Sequence, residues 1–123
     1  MASGKDLQVK RKAILIGLGR IGWSLETDAL RYHPCTHAGT IASLKSRITL
    51  VAVCDSSPEQ MRSFMAWWPG KKPAQYTDFR NLQGDLQSGN LEADFAVVAT
   101  PQDVHTFQGI SLLGIRSIRD VLI

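Results

Sequence analysis

AILIGLGRIG, running from Ala13 to Gly22, is the stretch on which the fold turns. It opens as a short apolar run, Ala13 to Ile16, that stops at a glycine and so predicts a strand. Gly17, Gly19 and Gly22 follow at G-x-G-x-x-G spacing. Each glycine has a mechanical role. The first permits the tight turn out of the strand, the second lets a phosphate approach the backbone, and the third lets a helix pack closely on the sheet. Free N–H groups and the positive dipole end at that helix start attract anions, and the Arg20 and Ile21 amides are the natural donors. A helix is predicted from about Arg20, with Ile21, Leu25 and Ala29 as its apolar stripe, stopping near Tyr32 before Pro34. The motif is weak by itself. Between a strand and a helix it reads as a dinucleotide turn, the alternative being a glycine-rich turn without a ligand.

Outward from this turn, strands and helical patterns alternate. Thr49 to Cys54 predicts the second strand, with Asp55 at its end. Ser57 then reads as an N-cap, Pro58 as the first helical residue and Gln60 as the closing partner of a capping box. Met61, Phe64, Met65 and Trp68 form a core-facing stripe before Pro69-Gly70. A short third strand falls at Ala74 to Tyr76, and Asp78 caps a helix with Phe79, Leu82 and Leu86 inside. Phe95 to Ala99 is a fully apolar fourth strand. Thr100 and Pro101 open a further helix with Val104, Phe107 and Ile110 inside and Gly114 at its C-terminus, and Val121 to Ile123 begins a fifth strand. The expected architecture is a doubly wound parallel α/β sheet of order 3-2-1-4-5 in three layers, α/β/α, of the Rossmann type. Its crevice lies between strands 1 and 4 at their C-terminal ends. Asp55 is placed to accept the two ribose hydroxyls and repel a 2′-phosphate, which favours NAD, with NADP as the alternative through Arg20 or Arg62.

The 123 residues make one domain, and 44% hydrophobic with 20% charged residues is ordinary globular composition. No apolar run reaches membrane-spanning length, and the polar, basic start lacks a secretory signal. Residues 1–12 read as a flexible basic tail ahead of the domain at 13–123. The charge of +3 lies partly in Lys5, Lys10, Arg11 and Lys12, without interleaved aromatics, so no nucleic-acid partner is expected. Cys35 and Cys54 read as reduced thiols in a cytoplasmic protein.

The interval to Asp55 is longer than usual, which points to an insertion from about Tyr32 to Arg47. It carries His33, Cys35 and His37, a cluster of zinc-ligand types. A helix running away from the cofactor end would leave this loop at the opposite end of the sheet, and no fourth ligand is evident. A loop ordered by its own hydrogen bonds is therefore expected, with no metal.

Four segments in order, AILIGLGRIG, LVAVCDSSPEQ, YTDFRNL and DFAVVATPQDVH, resemble the N-terminal domain of the glucose–fructose oxidoreductase / inositol dehydrogenase / MocA family, over about Ala13 to Leu113. RYHPCTHAGT, Arg31 to Thr40, resembles an insertion found in one branch of it. The resemblance implies NAD(P)-dependent oxidation or reduction of a sugar, cyclitol or related hydroxy compound. It implies that Gly17, Leu18, Gly19, Arg20, Ile21 and Gly22 form the pyrophosphate turn, that Asp55 and Ser56 hold the adenosine ribose, and that Ala99, Thr100 and Pro101 line the crevice. His105 matches the family's histidine near the nicotinamide half. The family continues into a Glu-Lys-Pro motif and a substrate domain, whereas this chain ends in IRSIRDVLI. The expectation is a truncated cofactor half with no catalytic residue of its own. The alternative is a non-catalytic nucleotide-binding or redox-sensing module acting with a partner, or a homo-oligomer formed through the exposed sheet edge.

Overall fold

The computed structural model describes residues 10–100, 108–109, 111–112, 114–115 and 118–122. Five strands are placed, β1 (Arg11–Ile16), β2 (Ile48–Cys54), β3 (Ala74–Tyr76), β4 (Phe95–Val98) and β5 (Asp120–Leu122). They form one sheet of order β3-β2-β1-β4-β5 with every pairing parallel. This is the doubly wound order read from the alternation of apolar runs. Among the described residues α-helices lie between them, α1 (His37–Ser43), α2 (Pro58–Trp67) and α3 (Phe79–Ser88), and residues 108–109 and 111–112 are also helical.

Alternation along β1 divides the core in two. Ala13 and Leu15 pack on one face with Met61 and Phe64 of α2 and with Ala38 and Ile41 of α1. Ile14 and Ile16 pack on the other with Leu82 and Leu86 of α3 and with Leu112, Ile115 and Ile118. The strand buries residues on both faces because helices cover both, which is why it reads as a continuous apolar run. Against β2 the register shifts between Ala13 and Ile14, so that Leu50 and Ala52 are their successive partners and Val51 is the extra residue. Arg11 and Lys12, which composition places in the tail, instead open β1, and the Lys12 amide donates to Asp94 Oδ2 at 2.8 Å.

The second crossover follows the sequence closely. Ser57 accepts from the Gln60 amide and Pro58 begins α2. Phe64 is fully buried, with Met61 and Trp68 nearly so. The first crossover does not. No α-helix runs from Arg20 to Tyr32; a turn and a short 3-10 helix, Ser24–Thr27, occupy its start. Ile21 is 54% exposed and Ala29 is exposed, so the expected stripe is not the buried face. Asp28 takes extended backbone and accepts the Leu30 amide at 2.9 Å, a local turn that competes with helix.

The helix resumes at His37. The His37 and Ala38 amides donate to the carbonyls of Ile21 and Gly22, at 3.1 and 2.9 Å. In a continuous helix those carbonyls would accept from residues four further along. Residues 24–35 are thus looped out, and α1 with its Thr36 cap is joined directly to the turn that follows Gly22. The buried face of this interrupted helix is Trp23, Ala38 and Ile41. The insertion is not the expected 32–47: Thr36 and His37 to Ser43 are the cap and body of the helix itself.

Candidate functional site

At the C-terminal edge of the sheet, three chain segments converge on one cleft of about 550 Å³. They are the turn after β1, the turn after β2 and the residues after β4. Ladder hydrogen bonds carry the turns past the strands: Gly17 N–H donates to the Cys54 carbonyl, and Ala99 N–H donates to the Ile16 carbonyl, at 2.8 and 2.7 Å. Gly17, Gly19, Asp55, Ser56, Ala99 and Thr100 all line the cleft.

The three glycines of the motif differ. Gly17 has φ +100°, and a Cβ there would lie 2.8 Å from the backbone of Ala99. A Cβ on Gly22 would overlap the Gly17 carbonyl oxygen. Both positions are closed to a side chain by the protein's own backbone. Gly19 has open space around its Cβ position within 4 Å and no positive φ. Nothing inside the described chain demands glycine there.

The backbone donors of the turn divide in the same way. Trp23, Ser24 and Leu25 donate to Gly19, Gly19 and Arg20 carbonyls. Among the described residues, the Gly19, Arg20 and Ile21 amides donate to no protein acceptor. They are unpaired donors at the start of a helical turn, where its dipole also favours an anion.

Asp55 stands across from them. Its Oδ2 accepts the Leu18 amide at 2.7 Å and its Oδ1 accepts the Ser57 amide at 2.8 Å. The carboxylate is thereby fixed between the two turns, with lone pairs remaining on both oxygens. A further partner is invisible in the sequence pattern. Gln60 does not close a capping box; its Nε2 donates to the Leu18 carbonyl at 2.7 Å. The Leu18 peptide is held on both sides and its side chain is fully buried. Within the group read as cofactor-binding, Leu18 shapes the turn from beneath.

On the other wall, Thr100 Oγ1 donates to Gln108 Oε1 at 2.6 Å, and Gln108, Thr77 and Phe79 join the lining. Spacing marks none of these three, because their approach to the cleft is a tertiary consequence. Pro101 and His105, both named from the resemblance, lie outside the described residues. Cys54 is buried beneath the cleft, and burial, then the charge of Asp55, pushes its thiol up to about 12. It is held as a thiol.

The looped-out segment also has a different place from the one expected, which is the far end of the sheet. The hydrogen bonds of His37 and Ala38 to Ile21 and Gly22 set its end beside the glycine turn instead. Glu26 secures it: Oε1 accepts the Cys35 and Thr36 amides, each at 3.0 Å, and the Thr36 hydroxyl at 2.7 Å. Burial alone would raise the Glu26 carboxyl. The Thr36 hydroxyl and the two amides outweigh it and hold the group below its ordinary value.

No protein-family model matches the sequence, and no curated protein matches it at significant similarity. Solved structures do match. The WlbA dehydrogenase from Bordetella pertussis, in complex with NADH and UDP-GlcNAcA, superposes with a TM-score of 0.64 and 26% identity, covering 87% of this chain and 27% of that one. Myo-inositol 2-dehydrogenase from Lactobacillus plantarum gives a TM-score of 0.67 at 18% identity, covering 91% and 27%. RSP, a Rex-family repressor, in complex with β-NADH gives 0.60 at 17% identity, covering 98% and 48%. The chain therefore spans about 27% of the length of these dehydrogenases. The likeness is one of fold, a Rossmann α/β domain, and it includes an inositol dehydrogenase, the class that the sequence motifs resemble.

Proposed function

We propose that this chain binds NAD and serves as the cofactor domain of an oxidoreductase of the inositol dehydrogenase type, acting on a sugar, cyclitol or related hydroxy compound. The observation that carries the reading is Gly19: a glycine with no need to be one among the described residues, flanked by amides that have no acceptor among them, opposite a fixed carboxylate. A pyrophosphate over Gly19, Arg20 and Ile21 would supply those donors with acceptors. Asp55 and Ser56 would receive the adenosine ribose, and Ala99 and Thr100 would border the nicotinamide half, with Pro101 and His105 following them. Asp55 favours NAD over NADP because a 2′-phosphate would meet its charge. When bound, the nicotinamide supplies hydride chemistry; the residues here bind and orient it. NADH in the WlbA complex supports the cofactor, and UDP-GlcNAcA there supports a sugar-type substrate.

Calorimetric titration of the chain with NAD, NADH and NADP tests this. Saturable NAD binding at one site, at least tenfold tighter than NADP, is expected. Absence of binding to any of the three overturns it.

A second reading is favoured by the Rex-family likeness, which covers 98% of this chain. In it the domain senses redox state with a partner or a second copy, and the β5 edge, where Leu122 is 57% exposed, is the pairing surface. An NADH affinity far above that for NAD, with no turnover of any polyol, would favour this reading.

A further inference from the structure

Glu26, His33 and Cys35 bring a carboxylate oxygen, an imidazole nitrogen and a sulfur within 4.8 Å of one another. We infer that these three side chains form a binding site for one thiophilic divalent cation of the zinc type, which ties the start of the looped-out segment 24–35 to its end.

Several observations carry this beyond residue type. The Glu26 side chain is only 7% exposed, and its two oxygens have separate surroundings. Oε1 is filled by the Cys35 and Thr36 donors. No geometric hydrogen bond reaches Oε2 among the described residues, and His33 Nε2 lies 3.9 Å from it, beyond hydrogen-bond reach. One carboxylate oxygen therefore builds the loop, and the other lies on the side of the His33 imidazole. The scaffold behind them is rigid. Thr36 is buried and caps α1 through the Gly39 amide, and Glu26 Oε1 lies so close to Gly39 that a Cβ there would overlap it. His37, the ligand type that spacing suggests, is not in the cluster; Glu26, nine residues before Cys35, takes its place.

The chemistry selects the ion. Calcium and magnesium require oxygen-rich sites, whereas one sulfur, one nitrogen and one oxygen suit zinc. Around tetrahedral zinc the donors stand roughly 3.5 Å apart, so small side-chain rotations close the present spacing. On binding, the Cys35 thiol gives up its proton to solvent and releases its contact with the Leu25 carbonyl, now 3.4 Å. The thiolate, Glu26 Oε2 and His33 Nε2 each donate a lone pair, and the fourth position goes to water. Two negative ligands balance the ion's charge. The ion must displace the thiol proton, so binding tightens as pH rises.

The test uses the whole chain without a histidine tag, stripped of metal and titrated with Zn²⁺ against a chromophoric chelator. One zinc per chain is expected. Cys35→Ser should weaken it at least a hundredfold and His33→Gln at least tenfold. His33 is exposed, so its variant keeps the fold, which circular dichroism checks. Co²⁺ should give a thiolate-to-metal charge-transfer absorption that Cys35→Ser abolishes. No saturable zinc binding overturns the site, as does unchanged binding in both variants. A cobalt–thiolate absorption persisting in Cys35→Ser would assign the metal to Cys54 and also overturn it. The inference does not rest on NAD binding, and NAD affinity measured on the same samples separates the two.

Discussion

The two βα turns beside the cleft use their backbone donors in opposite ways. After β2, Asp55 and Ser57 take up the amides around them, and α2 runs on from a capped start. After β1, the amides of Gly19 to Gly22 have no protein partner among the described residues, and the helical turn is broken off and joined to α1 from another part of the chain. The first turn is built to leave donors free, and the second is built to hold an acceptor still. A binding site for a molecule with both phosphate and hydroxyl groups needs one of each.

The largest expected effect separates two glycines within the first turn. Gly22→Ala drives a Cβ into the Gly17 carbonyl, with the Ala99 methyl also in contact. Overpacking of that kind costs about 3 kcal/mol. Urea unfolding should show it, and unaltered stability would mean that the turn does not close as described. Gly19→Val should do the reverse. Its side chain enters open cleft, so stability should change by less than about 0.5 kcal/mol. NAD affinity should fall about a hundredfold, roughly 2.7 kcal/mol, because the Cβ stands where the pyrophosphate approaches. Full NAD affinity in Gly19→Val would remove the glycine turn from the binding site.

The second crossover is legible in the sequence because its signals are local. Ser57, Pro58 and the Met61, Phe64, Trp68 stripe all act within one helix, and the strand order follows from apolar runs and right-handed crossovers. The first crossover is misleading for a non-local reason. Ile21, Leu25 and Ala29 have helical spacing, but the helix that forms takes Trp23 from one side of the loop and Ala38 and Ile41 from the other. No window of contiguous residues contains that face. Gly39 and Thr36 are the available hints, as a buried glycine and a cap that make sense only with Glu26 opposite them. The glycine turn and Asp55 are legible as a pair, whereas Gln60 is not, since its hydrogen bond to Leu18 spans two crossover units.

The joint between the looped-out segment and α1 ranks next. Glu26→Ala leaves the Cys35 amide, the Thr36 amide and the Thr36 hydroxyl without their acceptor, which should cost about 2 kcal/mol. The same carboxylate gives a pH signature. Its folded value is lowered, so its contribution is complete above the unfolded value, about 4.3, and is lost as pH falls through the folded value. The difference in unfolding free energy between parent and Glu26→Gln should therefore shrink in favour of the variant below about pH 4. Other carboxylates are common to both chains and cancel. A difference constant from about pH 7 to about pH 3 would show that Glu26 is not ionised in this clamp.

The smallest effect bears most directly on how the two turns cooperate. Gln60 reaches from α2 to the Leu18 carbonyl while Asp55 holds the Leu18 amide from the same side of the sheet edge. Gln60→Ala removes one half-buried neutral hydrogen bond, a loss of about 1 kcal/mol in stability. The Asp55 contact remains, so the turn keeps its place but gains freedom, and NAD affinity should drop only about threefold. Gln60→Glu is the sharper variant. It is nearly the same size, but at neutral pH it sets a carboxylate against the Leu18 carbonyl and close to Asp55. It should bind NAD more weakly than Gln60→Ala at about pH 8 and approach it at about pH 5, measured by calorimetry. If Ala and Glu behave alike across that range, Gln60 only packs against the turn, and Asp55 alone couples the acceptor side of the site to the donor side.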